Sequence, residues 1–193
     1  VQGYDALAFL RTRKGIQGGS DLARIGNQQQ YLSRLLNKLR SDDVLSNPAT
    51  LISLANTAVN NIVPSESLAD PLRIAQLAYT IKDVPLGEIA FVQFPVFDDP
   101  ANQNHVIPDE EGAAILWDAL SRNAPIALTG EVGTSGGVEL DPNAPTPEAS
   151  TPQTAAPEAT PAPGETAAPE VVELPSNITG STADQATCSV GVG

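Results

Sequence analysis

Apolar side chains recur at helical spacing in five stretches of the chain, over residues 4–11, 21–40, 48–62, 71–81 and 109–122. The first is short and rich in Ala and Leu. The second follows Ser20, whose hydroxyl suits an N-cap. The third and fourth open on Pro48 and Pro71, near the first helical position, where the absent N–H costs nothing. The fifth opens at Pro108 or Asp109 and places Ile115, Leu116, Ala119 and Leu120 on its inner side. One stretch, "EIAFVQFPV" at residues 88–96, alternates instead and is rich in β-branched and aromatic residues, which predicts a strand. Helices around at least one strand imply an α/β fold built in layers.

The pattern stops near Arg122, which predicts a packed part over residues 1–122. Residues 123–175 are rich in Pro, Ala, Thr and Glu and too poor in aliphatic groups to bury a core, so they read as a disordered, partly polyproline-like linker. Residues 176–193 read as the start of a small carboxyl-terminal module or tail, cut short. The chain has no methionine and opens on Val1, which reads as a fragment or a processed form. No run of 18 apolar residues is present, and no secretory signal is visible at the amino end. The lone Cys188 excludes an internal disulfide and reads as a free thiol or as the partner of a cysteine beyond the carboxyl end.

The formal net charge of −13 is unevenly placed: residues 1–40 hold seven basic side chains against two acidic ones, and no Lys or Arg follows Arg122. A basic pole places any anionic ligand near the amino end. The acidic balance and the lack of a basic recognition helix argue against a nucleic-acid partner.

At about 100° per residue, Asp21, Arg24, Gln28, Leu32, Leu35 and Leu39 share one face of the second helix, and Arg34 and Lys38 point the other way. If the leucines mark the core-facing stripe, Arg24 and Gln28 are aimed inward and are less exposed than Arg34 and Lys38. A buried guanidinium needs an anion. Two arrangements supply one. Asp21 and Arg24 can pair at i, i+3 in the first turn with nothing bound. Alternatively Arg11 and Arg13, one loop away, converge with Arg24 on Asp21 and leave about two positive charges at the helix amino end for a phosphate or diphosphate. The gap "KGIQGGS", with three glycines in seven residues, suits a mobile lid and lacks the nucleotide P-loop pattern.

The stretches "DALAFLRTRKG" and "SDLARIGNQQQYL" together resemble the carboxyl half of the catalytic domain of the LytR-CpsA-Psr family, whose signature there is an R-x-R pair, a variable loop, then D-x-x-R-x-x-x-Q. The likeness covers residues 4–39, and the later helices and the strand at 91–96 agree in order. It implies a partial α/β/α layered domain, the second half of that catalytic domain, followed by the Pro/Ala-rich linker of actinobacterial members. It implies a phosphotransferase on the outer face of the bacterial cytoplasmic membrane, in the cell envelope, held by an amino-terminal anchor outside this chain. Such an enzyme moves an anionic glycopolymer from a polyprenyl diphosphate carrier to a peptidoglycan acceptor. Carried over residue by residue, Arg11, Arg13 and Arg24 grip the diphosphate. Asp21 orients the arginines or helps to activate the acceptor hydroxyl, and Gln28 hydrogen-bonds the head group. Magnesium or manganese is implied as cofactor, with its ligands in the amino half, so no metal ligand is expected here and the fragment alone is expected to be inactive.

One departure is Asn27, which stands where many members carry a further Arg. Two other function classes stay open: a regulatory attenuator of the LytR type, after the family's older naming as transcriptional regulators, and an inert module that only holds lipid-linked diphosphate. Elsewhere, His105 reads as a surface residue, and Asp98, Asp99 and Asp109 to Glu111 as solvated or capping acids. Trp117 reads as core or helix-interface packing, and the acceptor pattern Asn177-Ile178-Thr179 as accidental in a bacterial chain.

Overall fold

The computed structural model describes residues 2–42, 44–102, 104–133, 136–144 and 170–191. All five expected helices form: α1 (Gly3–Arg11), α2 (Asp21–Ser41), α3 (Pro48–Asn61), α4 (Pro71–Ile81) and α5 (Glu110–Ser121). The starts of α2 to α5 are set by side-chain caps, while Gln2 before α1 makes none. Ser20 accepts from the Ala23 N–H, Asn47 from Ala49 and Thr50, Asp70 from Leu72, and Asp109 from Gly112. Pro48 and Pro71 sit in the first turn, as their fixed φ favours.

Eight three-residue strands are described: β1 (Ala90–Val92), β2 (Val96–Asp98), β3 (Val106–Pro108), β4 (Ile126–Leu128), β5 (Val138–Leu140), β6 (Val172–Leu174), β7 (Gly180–Thr182) and β8 (Thr187–Ser189). They pair as β1–β7, β2–β3 and β5–β8 antiparallel and β4–β6 parallel. The α/β class therefore holds. The single strand expected over residues 88–96 is two, because Pro95 has no N–H for a ladder. Gln93, just before, is buried and turns its amide to the Leu22 carbonyl at 3.1 Å.

Two apolar clusters hold the elements together. Leu45, Leu51, Ala55 and Ala75 join α3 to α4, with Leu36 and Leu39 from the end of α2 packed on them. Leu116 of α5, Leu174 and Ile178 form the second, with Val92, Ile115, Ile126, Leu128 and Val172 around them.

The second cluster corrects the expected division at Arg122. Leu174 and Ile178, only 1% and 0% exposed, lie beyond that boundary. They cover the inner face of α5, so residues 123–133, 136–144 and 170–191 belong to the same packed body. The remainder of the expected linker, 134–135 and 145–169, lies outside the described residues. The stretch around β5 looked like linker because it is glycine-rich and small, and that smallness has a structural use. Gly137, at φ +82°, brings its backbone so close to the first turn of α2 that a Cβ there would stand 2.6 Å from the Ala23 carbonyl oxygen.

The face that α2 buries also differs from the leucine stripe. The buried residues are Ala23, Asn27, Gln30 and Ser33, at helical spacing, while Leu32 and Leu35 stay 49% and 39% exposed. On α5 the inner face is Gly112, Ala113, Leu116 and Ala119, and Leu120 is exposed rather than inner. Trp117 is 59% exposed and lies beside Phe94, with ring centroids 6.5 Å apart and the rings tilted.

Gly137→Ala should destabilise the chain by roughly 1–3 kcal/mol, since it combines a strained φ with a backbone clash. Gly15→Ala, at φ +94° with nothing within 4 Å of the new methyl, should cost less. Denaturant unfolding midpoints of the two variants check the ordering.

Candidate functional site

Arg13 and Arg24 meet on Asp21, the first residue of α2. Arg13 engages the carboxylate with two prongs, Nε to Oδ1 at 3.0 Å and Nη2 to Oδ2 at 3.1 Å. Arg24 Nη2 reaches Oδ1 at 3.1 Å from one turn further along the helix. Asp21 is placed for this by the Ser20 cap, which fixes where α2 begins, and it also suits the positive end of the helix. The side chains of Arg13 and Asp21 are more than half exposed, so each pair contributes at most about 1 kcal/mol to stability. What the cluster does is hold guanidinium groups in a fixed fork geometry.

Arg24 is the most enclosed member. Its Nε is buried and has no hydrogen-bond partner among the described residues. An N–H of this kind costs free energy until an acceptor reaches it. Arg11, the last residue of α1, is exposed and lies outside the ion-pair cluster. Gln28 donates its amide N–H to the Leu10 carbonyl at 3.2 Å, which ties α2 to the end of α1, next to Arg11. The structure thus brings Arg13, Asp21 and Arg24 together, and Gln28 links them to the helix that ends in Arg11.

The expected exposure ranking holds, though not for the reason given by the leucines. Arg24 and Gln28 are half-buried, whereas Arg34 and Lys38 are exposed. Arg34 is nevertheless engaged: its Nη2 donates to the Thr187 carbonyl at 2.5 Å. The glycine-rich gap read as a mobile lid is anchored at its midpoint. Ile16 is buried and bridges Gly191, and the Gln17 N–H donates to the Val190 carbonyl at 2.9 Å.

The residues that hold this arrangement were missed in the sequence. Gln30 Nε2 donates to the Thr187 carbonyl at 2.6 Å, and Ser189 Oγ lies 2.6 Å from Gln30 Oε1 and 2.9 Å from Asn27 Oδ1. A serine hydroxyl has one proton, so it cannot donate to both. Asn27 is fully buried with its Nδ2 unpartnered. Exchanging the Asn27 amide oxygen and nitrogen resolves both points. Asn27 then donates to Ser189, Ser189 to Gln30 and Gln30 to Thr187, a chain running one way across the α2–β8 contact. The only signal of it in the sequence is a stripe of small polar groups at helical spacing.

Among the described residues no group of three or more His, Cys, Asp or Glu side chains could hold a metal ion. No helix among them is long and apolar enough to cross a membrane. His105 is exposed. Asp99 accepts from the Ala101 N–H in a turn, and Asp109 caps α5 while also accepting from Asn177 Nδ2 at 2.6 Å. Asn177 is therefore committed to packing.

Cys188 is half-buried on β8, and burial pushes its thiol up, with the neighbouring Asp141 carboxylate adding to the shift. A raised value means less thiolate at neutral pH, the opposite of an activated nucleophile. Its reaction rate with a disulfide reagent should therefore rise with pH through a midpoint above the ordinary thiol range, and Asp141→Asn should move that midpoint down. A pH–rate profile of both chains checks the sign.

Comparison with known proteins bears on what this cluster serves. Residues 1–121 match the model of the LytR_cpsA_psr family. The chain is 34% identical over 94 residues to the cell wall biosynthesis protein LcpA of Corynebacterium glutamicum. That match takes in 49% of this chain and 17% of the relative, so the chain spans a minor part of the relative's length. No solved structure matches the chain. The family pattern covers more than half of the chain, including the arginine cluster and all five helices, and the chain therefore belongs to the LytR_cpsA_psr family.

Proposed function

We propose that the chain supplies the arginine grip of a cell-wall phosphotransferase that moves an anionic glycopolymer from a polyprenyl diphosphate carrier to peptidoglycan at the outer face of the cytoplasmic membrane. The observation that carries this reading is the fork on Asp21, two guanidinium groups fixed on one carboxylate beside the buried, unpartnered Nε of Arg24. With Arg11 counted, the cluster has a formal excess of two positive charges at a helix amino end, which suits a diphosphate. Family membership and the relative's printed role in cell wall biosynthesis support the same direction.

In the proposed reaction an acceptor hydroxyl oxygen bonds to the phosphorus that carries the glycopolymer. The bond from that phosphorus to the bridging oxygen breaks, polyprenyl phosphate leaves, and a phosphodiester forms while the hydroxyl proton is lost. Phosphoryl transfer is mostly positioning and charge stabilisation, and both suit these side chains. Arg13 and Arg24 hold the diphosphate and meet the charge that grows on the departing phosphate. Both oxygens of Asp21 carry guanidinium contacts, which fits it for orienting the arginines. Gln28 steadies the end of α1 so that Arg11 reaches the same anion, and it hydrogen-bonds the head group. Metal ligands, if the reaction uses them, come from outside the described residues.

In the intact protein, Arg13→Ala and Arg24→Ala should each lower transfer about ten- to a hundredfold or more, the cost of one charge-assisted contact. Lys38→Ala, which removes a charge paired with Asp42 on the exposed side of α2, should leave transfer nearly unchanged. Equal losses in all three, weakening with salt, would instead mark general attraction to a basic pole.

A further inference from the structure

The loop between the two ends of the arginine cluster is held from the opposite end of the chain. Arg13 precedes this loop and Asp21 follows it. Between them Ile16 is 5% exposed, pairs with Gly191 and leaves the Gln17 N–H on the Val190 carbonyl at 2.9 Å. Val190 is fixed in turn by its own N–H on the Gly137 carbonyl at 3.0 Å. The backbone of Gly136 fits so closely against the loop that a Cβ on it would stand 2.8 Å from the Gln17 carbonyl oxygen. One residue back from Val190, Ser189 enters the polar chain with Gln30 and Asn27 on α2. The end of β8 thus touches both the loop and the helix that carry the two halves of the ion-pair cluster.

We infer that Val190 and Gly191 are positioning residues for the arginine site: as a strap across Ile16 and Gln17 they keep Arg13 in register with Asp21 and Arg24. The physical reason lies in the loop itself. Gly15, Gly18 and Gly19 all have positive φ, so the backbone around Ile16 has little intrinsic preference for the observed course. Without the strap Arg13 samples many positions and each encounter with an anion must freeze it anew. With the strap that ordering is already done before the ligand arrives. The inference rests on the diphosphate reading for its ligand, and on the geometry alone for the strap.

The test uses the 193-residue chain, a form truncated after Ser189, and Ile16→Ala, which loosens the same contact from the loop side. Truncation after Ser189 keeps the β5–β8 ladder and the serine contact while removing the Val190 carbonyl and the Gly191 bridge. Truncation should leave helix content and melting midpoint close to those of the parent, whereas Ile16→Ala, which empties a buried site, should lower the midpoint and keep the helix content. Amide exchange at Gln17, whose N–H donates to the Val190 carbonyl, should quicken at least about tenfold in both variants. The Arg13 Nε–H, which lies 3.0 Å from Asp21 Oδ1, should exchange with water faster in both, and its signal should weaken. The dissociation constant for inorganic pyrophosphate should rise at least about fivefold. Unchanged exchange at the loop and an intact Arg13 signal in both variants would overturn the strap. A loosened loop with unchanged pyrophosphate affinity would overturn its positioning role. A parent chain that does not bind pyrophosphate would count against the diphosphate reading, and the Arg13 signal would still decide the strap.

Discussion

The hydrogen-bond chain between Asn27, Ser189, Gln30 and the Thr187 carbonyl is the contact on which the rest of the molecule depends. A helix normally docks through apolar side chains, whose contacts tolerate small slips. Buried polar groups do not, because a shift of one residue leaves donors and acceptors unpaired in a medium that penalises each of them. The stripe on α2 is therefore a register device. It is extended by Ser33 and Asn37, both of which donate to the Ala183 carbonyl. With α2 set lengthwise against the carboxyl-terminal strands, the position of its first turn is set as well, and with it Asp21 and Arg24.

From that anchor the electrostatics of the amino end follow. An exposed ion pair is a weak structural element, so the fork of Arg13 and Arg24 on Asp21 adds little to folding. The carboxylate keeps two like charges close together that repulsion would otherwise separate. The arrangement resembles a drawn spring in its charge balance: the excess positive charge stays concentrated only while the backbone on both sides is held. Helix position comes from α2 and loop position from the strand end.

Much of this was legible in the sequence, and the exceptions share a cause. The five helices, their proline starts and the Ser20 cap follow from local rules, which need no knowledge of what packs where. The pairing of Asp21 with Arg24 is equally local, one helical turn apart. The buried face of α2 departs from its leucine stripe because the partner of that face is the strand Thr187–Ser189, whose side chains and carbonyls call for polar groups. The stretch after Arg122 was misread because glycine and small residues suggest linker, and only the backbone proximity of Gly137 to Ala23 shows why bulk is absent there. Trp117 and Leu120 were assigned inward by residue type, yet the groove that α5 fills is lined from the other side by Leu174 and Ile178 and admits smaller groups.

The contact between Gln30 and Thr187 joins residues 157 apart, and the one between Ser33 and Ala183 joins residues 150 apart. Loop closure of that length costs entropy before any contact repays it, and folds dominated by such pairings assemble slowly. On a ribosome α2 emerges long before its strand does. Its polar stripe must wait in water until then, hydrated and at no loss. The choice of Asn, Gln and Ser for that face thus also suits a helix that has to remain soluble until the strand it docks on is made.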